Sequence, residues 1–144
     1  MAKLKDIMTK DVETCTLLDN VYEVAVKMKE CQVGSIPIVD GERIVGVITD
    51  RDIVTRCIAE KHPASSKVED IMSKDLVTIE PDADAAEAAH LMAEKQIRRL
   101  PIVDGERLVG VVSLGDFAIR DALIKHASIA LENISESHFS NKPF

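Results

Sequence analysis

The chain has 144 residues, 46 % hydrophobic and 30 % charged, with 25 acidic against 18 basic side chains and a formal charge of −7. That length suits one compact domain, or a pair of small subdomains sharing a core, and the acidic balance argues against an extended nucleic-acid surface. With no Trp and a single Tyr there is no stacking platform for single-stranded nucleic acid, and no apolar run is long enough to span a membrane.

The elements come in chain order as follows. A lead-in, Leu4 to Lys10, precedes a predicted first strand near Val12 to Thr14. Asn20-x-x-Glu23 has the form of a capping box, and Val21, Val24, Ala25 and Met28 fall at helical spacing behind it. Two β-branched runs follow, Ser35 to Val39 and Arg43 to Thr49. Asp40-Gly41 between them signals a hairpin whose loop has two residues or more. Ile44 to Ile48 is continuously apolar, which predicts burial on both faces. A closing helix is predicted to start near Asp50, and Lys61 to Lys67, with Pro63 and Ser65-Ser66, reads as a joint.

The series then repeats. The lead-in is Val68 to Lys74, the first strand Leu76 to Ile79, and the capping box Asp84-x-x-Glu87. The helix is marked by Ala85, Ala88, Ala89 and Met92. Strands Arg99 to Val103 and Arg107 to Ser113 flank Asp104-Gly105. A second closing helix starts near Leu114 and is expected to run on through Ala127 to Ile134, ahead of a polar tail, Ser135 to Phe144. Laying Lys5–Lys61 over Glu69–Lys125 without a gap matches 24 of 57 positions, so the chain is two copies of one unit. A unit of roughly 60 residues is marginal alone, which predicts mutual burial. A site in one copy should have a counterpart in the other, and a cleft between them is expected.

Two constellations carry candidate chemistry. In Gly46 to Asp52 and Gly110 to Asp116, a strand gives way to a helix at Thr49 and Ser113. A helix start offers unpaired N–H groups that favour an anion, and a hydroxyl there can donate to a phosphate oxygen. A carboxylate three residues on, Asp52 or Asp116, can accept both hydroxyls of a ribose, and Arg51 can add a charge-assisted contact. The same spacing is that of a capping box, in which both side chains only satisfy backbone N–H groups. The second constellation is Gln96 to Pro101. Strand alternation sends Arg98 and Arg99 to opposite faces, one toward a polyphosphate in the cleft and the other toward solvent or a carboxylate. A surface salt bridge is the competing account. The first copy has Gly34 and Ser35 there, and the second has Gly115 in place of Arg51, so two unequal sites, or a single working one, follow.

Other chemistry finds no pattern. His62, His90, His126 and His138 lack metal-ligand spacing. Cys15, Cys31 and Cys57 read as reduced thiols of a cytoplasmic protein. There is neither a Walker A loop nor a GxGxxG, and no nucleophile arrangement is recognisable.

The Asp-Ile-Met lead-in, the Ile/Leu-Pro-Ile-Val-Asp strand and the Gly-to-Thr/Ser-x-x-Asp ending, twice over, resemble the cystathionine β-synthase (CBS) domain. Two in tandem resemble a Bateman module and the small bacterial stand-alone CBS-pair proteins. The resemblance covers about Leu4 to Lys125. It implies an α/β (α+β) fold of two β-α-β-β-α units packed with pseudo-two-fold symmetry: residues 4–61, a linker at 62–67, residues 68–125, and a C-terminal helical extension and tail at 126–144.

The resemblance also implies a regulatory, non-enzymatic module without cofactor or metal. Its ligand would be AMP, ADP, ATP or S-adenosylmethionine, and occupancy would change its conformation. Thr49 and Ser113 would contact phosphate or ribose, and Asp52 and Asp116 the ribose hydroxyls. A basic residue just before the strand, Arg98 or Arg99, would meet phosphates, beside the contact that Arg51 can add. Ile36, Pro37, Leu100 and Pro101 would wall the base, and backbone at Thr14-Cys15 and Thr78-Ile79 would bond the adenine edge. A homodimer is expected, with the short helices bearing Val21, Val24 and Met28, and their second-copy counterparts, as candidate dimer faces as well as core, and an unknown protein partner is a further expectation. The rival expectation is a ligand-free dimerisation or interaction module.

Overall fold

The computed structural model describes residues 3–118, without the side chains of Phe117 and Ala118. The expected continuation from Ala127 to Ile134 and the tail beyond it lie outside the described residues. Among the described residues there are five strands: β1 (Cys15–Thr16), β2 (Ser35–Asp40), β3 (Arg43–Thr49), β4 (Arg99–Asp104) and β5 (Arg107–Ser113). The helices are α1 (Leu4–Ile7), α2 (Val21–Cys31), α3 (Asp50–Asp52), α4 (Val68–Ile71), α5 (Ala85–Lys95) and α6 (Leu114–Ala118). Helix α3 passes straight into a π-helical stretch, Ile53–Ile58. The fold is α+β.

The described residues divide into two compact units, which do not coincide with the two sequence copies. One gathers residues 12–76 and 106–108, the other 3–11, 77–105 and 109–118. Each lead-in is thus built into the unit made by the other copy's strands.

In the first of these units, β1 runs parallel to β2, with Cys15 opposite Ile38. β2 and β3 are antiparallel and joined by Gly41–Glu42 alone, since Asp40 pairs with Arg43. A two-residue loop needs a residue that tolerates positive φ, and Gly41 has φ +67°. Ile44, Gly46 and Ile48 of β3 are buried and Val45 and Val47 half-buried, an alternation rather than the uniform burial expected. The second face is half-covered because Ser73, in the other copy's lead-in, bridges to Val47. Met72 of that lead-in joins Val21, Val24, Met28, Ile36, Ile38, Ile48, Val68 and Ile71 in one core.

In the other unit, α5 places Ala85, Ala88, Ala89 and Met92 against Leu100, Ile102, Val112, Leu114 and Leu4. The period read from the sequence is the buried face of the helix. β4 and β5 are hydrogen-bonded neighbours joined by Gly105–Glu106, a connection short enough only for antiparallel strands. Thr9 of the first lead-in bridges to Val111, and Gly110, Val111 and Val112 are all buried.

Four expectations are corrected. The first strand is Cys15–Thr16 rather than Val12 to Thr14, and in the second copy it shrinks to one parallel bridge, Ile79 to Ile102. Beyond Ile79 the chain is drawn away, because the Pro81 carbonyl accepts from Lys5 N–H and the Ala83 carbonyl from Leu4 N–H. Asn20 and Glu23 form the full capping box, whereas the Asp84 side chain caps nothing. There the Glu87 N–H donates to the Asp84 main-chain carbonyl instead, at 3.0 Å. Finally, Val21, Val24 and Met28 are buried in their own unit's core, so the apolar side chain that α2 exposes is Tyr22 instead. Among the described residues the large exposed apolar side chains are Leu18, Tyr22, Val54 and Ile58.

Candidate functional site

Each copy ends a strand at a hydroxyl residue and starts a helix with a carboxylate three residues later. In the first copy both halves of the capping box are made. Asp52 N–H donates to Thr49 Oγ1 at 3.0 Å, and Thr49 N–H donates to Asp52 Oδ2 at 3.0 Å. The start of the helix is pinned to the preceding strand, because Asp50 N–H donates to the Gly34 carbonyl at 2.9 Å. The second copy repeats the frame: Ser113 N–H donates to Asp116 Oδ2 at 2.7 Å, and Leu114 N–H to the Arg98 carbonyl at 3.1 Å.

The capping account of Thr/Ser-x-x-Asp is therefore realised in full in the first copy and through the Asp116 carboxylate in the second. It does not use up the carboxylates, since each has two oxygens and several lone pairs, and the cap takes one oxygen. Asp52 Oδ1 faces Arg56 Nε at 3.8 Å, and Arg56 Nη1 also donates to the carbonyls of Ile71 and Met72. Both aspartates are half-buried, and Arg51 is exposed.

The closing helix departs from α geometry just past this turn. Ala59 N–H reaches back five residues to Val54. Thr55 Oγ1 donates to the Arg51 carbonyl at 2.8 Å, a back-bond that loosens an α-helical ladder, and Ile53, Val54 and Thr55 are all β-branched.

The other expected residues divide by unit. Thr14, Cys15, Ile36 and Pro37 share a unit with Thr49, Arg51 and Asp52, and Thr78, Ile79, Arg98, Arg99, Leu100 and Pro101 share one with Ser113 and Asp116. Ile36 and Leu100 have no exposed surface, and Pro37 and Pro101 are buried beside them. Arg98 does not enter the strand: it precedes β4 and is exposed, while Arg99 is the first residue of β4 and half-buried. The adenine-edge role meets competition on both sides. Lys27 Nζ donates to the Thr14 carbonyl at 2.7 Å. Ile79 has its N–H on the Pro101 carbonyl and its own carbonyl on Val103 N–H.

A cavity of about 350 Å³ lies elsewhere, between β1 and α2, lined by Cys15, Asp19, Tyr22, Glu23, Val26, Lys27 and Glu30. It shares only Cys15 with the expected set. Burial pushes the Cys15 thiol up to about 11, chiefly by desolvation. The pairing of Gly34 with Asp50 was missed in the sequence. Its signal was a double replacement, since the corresponding pair in the second copy is Arg98 and Leu114. Among the described residues no group of three or more His, Cys, Asp or Glu is placed to hold a metal ion, and no helix is long and apolar enough to cross a membrane.

The CBS domain profile matches residues 4–58 and again 68–122. The chain belongs to the CBS domain family. It is 50 % identical over 138 residues to the uncharacterised protein YlbB of Bacillus subtilis (strain 168), covering 94 % of this chain and 93 % of that one. Among solved structures it resembles a putative signal-transduction protein with CBS domains from Burkholderia ambifaria MC40-6. There the TM-score is 0.75 and the identity 28 %, over 85 % of this chain and 95 % of that one. It also resembles the CBS domain pair of protein MJ0100, solved in complex with 5′-methylthioadenosine and S-adenosyl-L-methionine. That match has a TM-score of 0.74 and 28 % identity, over 83 % of this chain and 94 % of the other. The tandem CBS repeat is thus a regulatory type of module, whose two Thr/Ser-x-x-Asp turns fall inside the matched segments.

Proposed function

We propose that this protein is a non-enzymatic regulatory module that binds an adenosine-containing ligand at its Thr/Ser-x-x-Asp turns and signals by changing conformation. The observation that carries the reading is the repeated turn itself, in which the backbone N–H of the hydroxyl residue holds one carboxylate oxygen and the other oxygen lies outside the cap. Such a group is pre-set to accept ribose hydroxyls without building a new geometry. Membership of the CBS family and the adenosine compounds bound by the similar MJ0100 pair support the choice of ligand class. AMP, ADP, ATP and S-adenosylmethionine all share the ribose and adenine that these residues would recognise. A ligand can change conformation only by binding one state more tightly than another, and that difference is the signal.

Self-association as a homodimer belongs to the same reading. Exposed Leu18, Tyr22, Val54 and Ile58 are apolar surface that a second copy would cover. The reading places the protein in the cytoplasm.

The deciding experiment is thermal unfolding with AMP, ADP, ATP, S-adenosylmethionine, NADH and GTP at millimolar concentration. A ligand bound only by the native state raises the Tm by mass action. The expected result is a rise confined to adenosine compounds. No rise, in protein free of co-purified nucleotide, would favour a module that dimerises without a ligand.

A further inference from the structure

The two turns share a backbone and differ in charge. In each, the residue before the strand offers its carbonyl to the first N–H of the helix: Gly34 to Asp50, and Arg98 to Leu114. In the first copy the Asp50 carboxylate leans over Gly34, so that a Cβ at residue 34 would lie 3.0 Å from Asp50 Oδ2. Where the second copy carries the stem of Arg98, the first carries a carboxylate. The exchange is reciprocal, because Leu114 in the place of Asp50 is packed into its own unit's core at 6 % exposure and puts no carboxylate beside residue 98.

The neighbours extend the contrast. The first turn groups Asp50 and Asp52 with Arg51, two carboxylates to one guanidinium. The second groups Arg98 and Arg99 with Asp116, two guanidiniums to one carboxylate. Arg56 lies 3.8 Å from Asp52 and offsets that carboxylate, which leaves the Asp50 carboxylate beside Gly34 as the charge that sets the first turn apart from the second. Among the described residues, Arg98 and Arg99 make no ion pair with a carboxylate. Within a Debye length of about 8 Å, charges of this kind act on a bound phosphate without full screening.

We infer that the two turns sort ligands by charge: the second-copy turn takes a nucleoside phosphate, and the first-copy turn takes a nucleoside without one. The carboxylate of Asp50 repels a phosphate where the guanidiniums of Arg98 and Arg99 attract it. This rests on the adenosine reading above and adds which class of adenosine compound each turn accepts.

The test is calorimetric titration with AMP and, separately, with adenosine. It uses the unaltered protein, the Arg98→Gln/Arg99→Gln variant and Asp50→Asn. All three positions are at the surface or half-buried, and melting curves check that each variant folds. The unaltered protein is expected to bind AMP at a single site per chain. Arg98→Gln/Arg99→Gln should lower the preference for AMP over adenosine about tenfold, equivalent to about 1.4 kcal/mol. Asp50→Asn should admit AMP at a second site. If AMP binds but its preference is unchanged in the arginine variant, or if Asp50→Asn gains no AMP, the sorting by charge is overturned while the adenosine reading stands. If the unaltered protein binds neither compound, the adenosine reading fails and takes this inference with it.

Discussion

The sulfur of Met72 fills the space in front of Gly46: a Cβ at residue 46 would lie 2.5 Å from it and 3.0 Å from the Ser73 carbonyl oxygen. Met8 stands in the same relation to Gly110, at 2.6 Å, with the Thr9 carbonyl oxygen at 3.0 Å. In both places a lead-in lies so close over a strand that only glycine fits. The two differ in burial, because Met72 is a core residue at 6 % exposure and Met8 is half-buried. Gly46→Ala is therefore expected to destabilise by about 1–3 kcal/mol, the usual range for overpacking, and Gly110→Ala by less. Urea unfolding of the two variants measures the order. Equal losses, or a larger loss at Gly110, would mean that the methionines do not set the cost.

The repeat made most of this fold legible. Val21, Val24 and Met28, and Ala85, Ala88, Ala89 and Met92, were readable as helix faces because burial on a helix leaves a local period. The hairpins were readable because Asp40-Gly41 and Asp104-Gly105 are local turn chemistry. The pairing of lead-in with unit was not. Met8 and Met72 hold the same place in their copies, and nothing within either copy says that the strand beneath belongs to the other. The failed box at Asp84 was illegible for a related reason, since Asp84 and Asn20 are equally good caps and a main-chain bond decides between them. The Thr/Ser-x-x-Asp turns were legible as geometry, because the spacing is that of a cap. A ligand role leaves no separate trace in that spacing.

The capping asymmetry predicts a difference in stability. Glu23 N–H donates to Asn20 Oδ1 at 2.9 Å and Asn20 N–H to Glu23 Oε1 at 3.3 Å, so Asn20→Ala removes the first bond of the box and leaves the second, which the main chain donates. The expected loss is about 1 kcal/mol, within the range for a lost N-cap. Asp84→Ala removes no side-chain cap and is expected to cost less. Thermal or urea unfolding of the pair checks this, and a larger loss for Asp84→Ala would contradict the geometry.

Burial of Cys15 predicts a pH dependence. The folded protein holds this thiol at about 11 against an ordinary value of 9.0, mainly through desolvation. The neutral form is thus favoured by folding. That stability is fully present below pH 9 and is lost as pH rises from 9 toward 11, where the unfolded chain gains from ionisation and the folded one does not. Alkylation offers a direct check. At pH 8 to 9 iodoacetamide should modify half-buried Cys31 first and spare Cys15 until the protein unfolds. Rapid labelling of Cys15 in folded protein would show that the thiol is neither shielded nor raised.

The capping and binding roles of Asp116 are separable by measuring two quantities on one variant. Asp116→Ala removes the bond from Ser113 N–H at 2.7 Å, and as a lost cap this should lower apo stability by about 1 kcal/mol. If the same carboxylate also accepts ribose hydroxyls, the variant loses charged hydrogen bonds worth about 1.5–3 kcal/mol each, and AMP affinity falls more than tenfold. Asp52→Ala should lose slightly more stability than Asp116→Ala. It breaks the contact to Arg56 as well as the cap, although a pair at 3.8 Å with an exposed arginine adds under about 1 kcal/mol. Urea unfolding of the apo variants and calorimetry with AMP and adenosine supply both quantities. A drop in affinity that outruns the drop in stability supports ligand contact by the aspartate. A drop in stability with affinity unchanged would leave Asp116 as a cap alone, and the ribose would then have to be held by other residues.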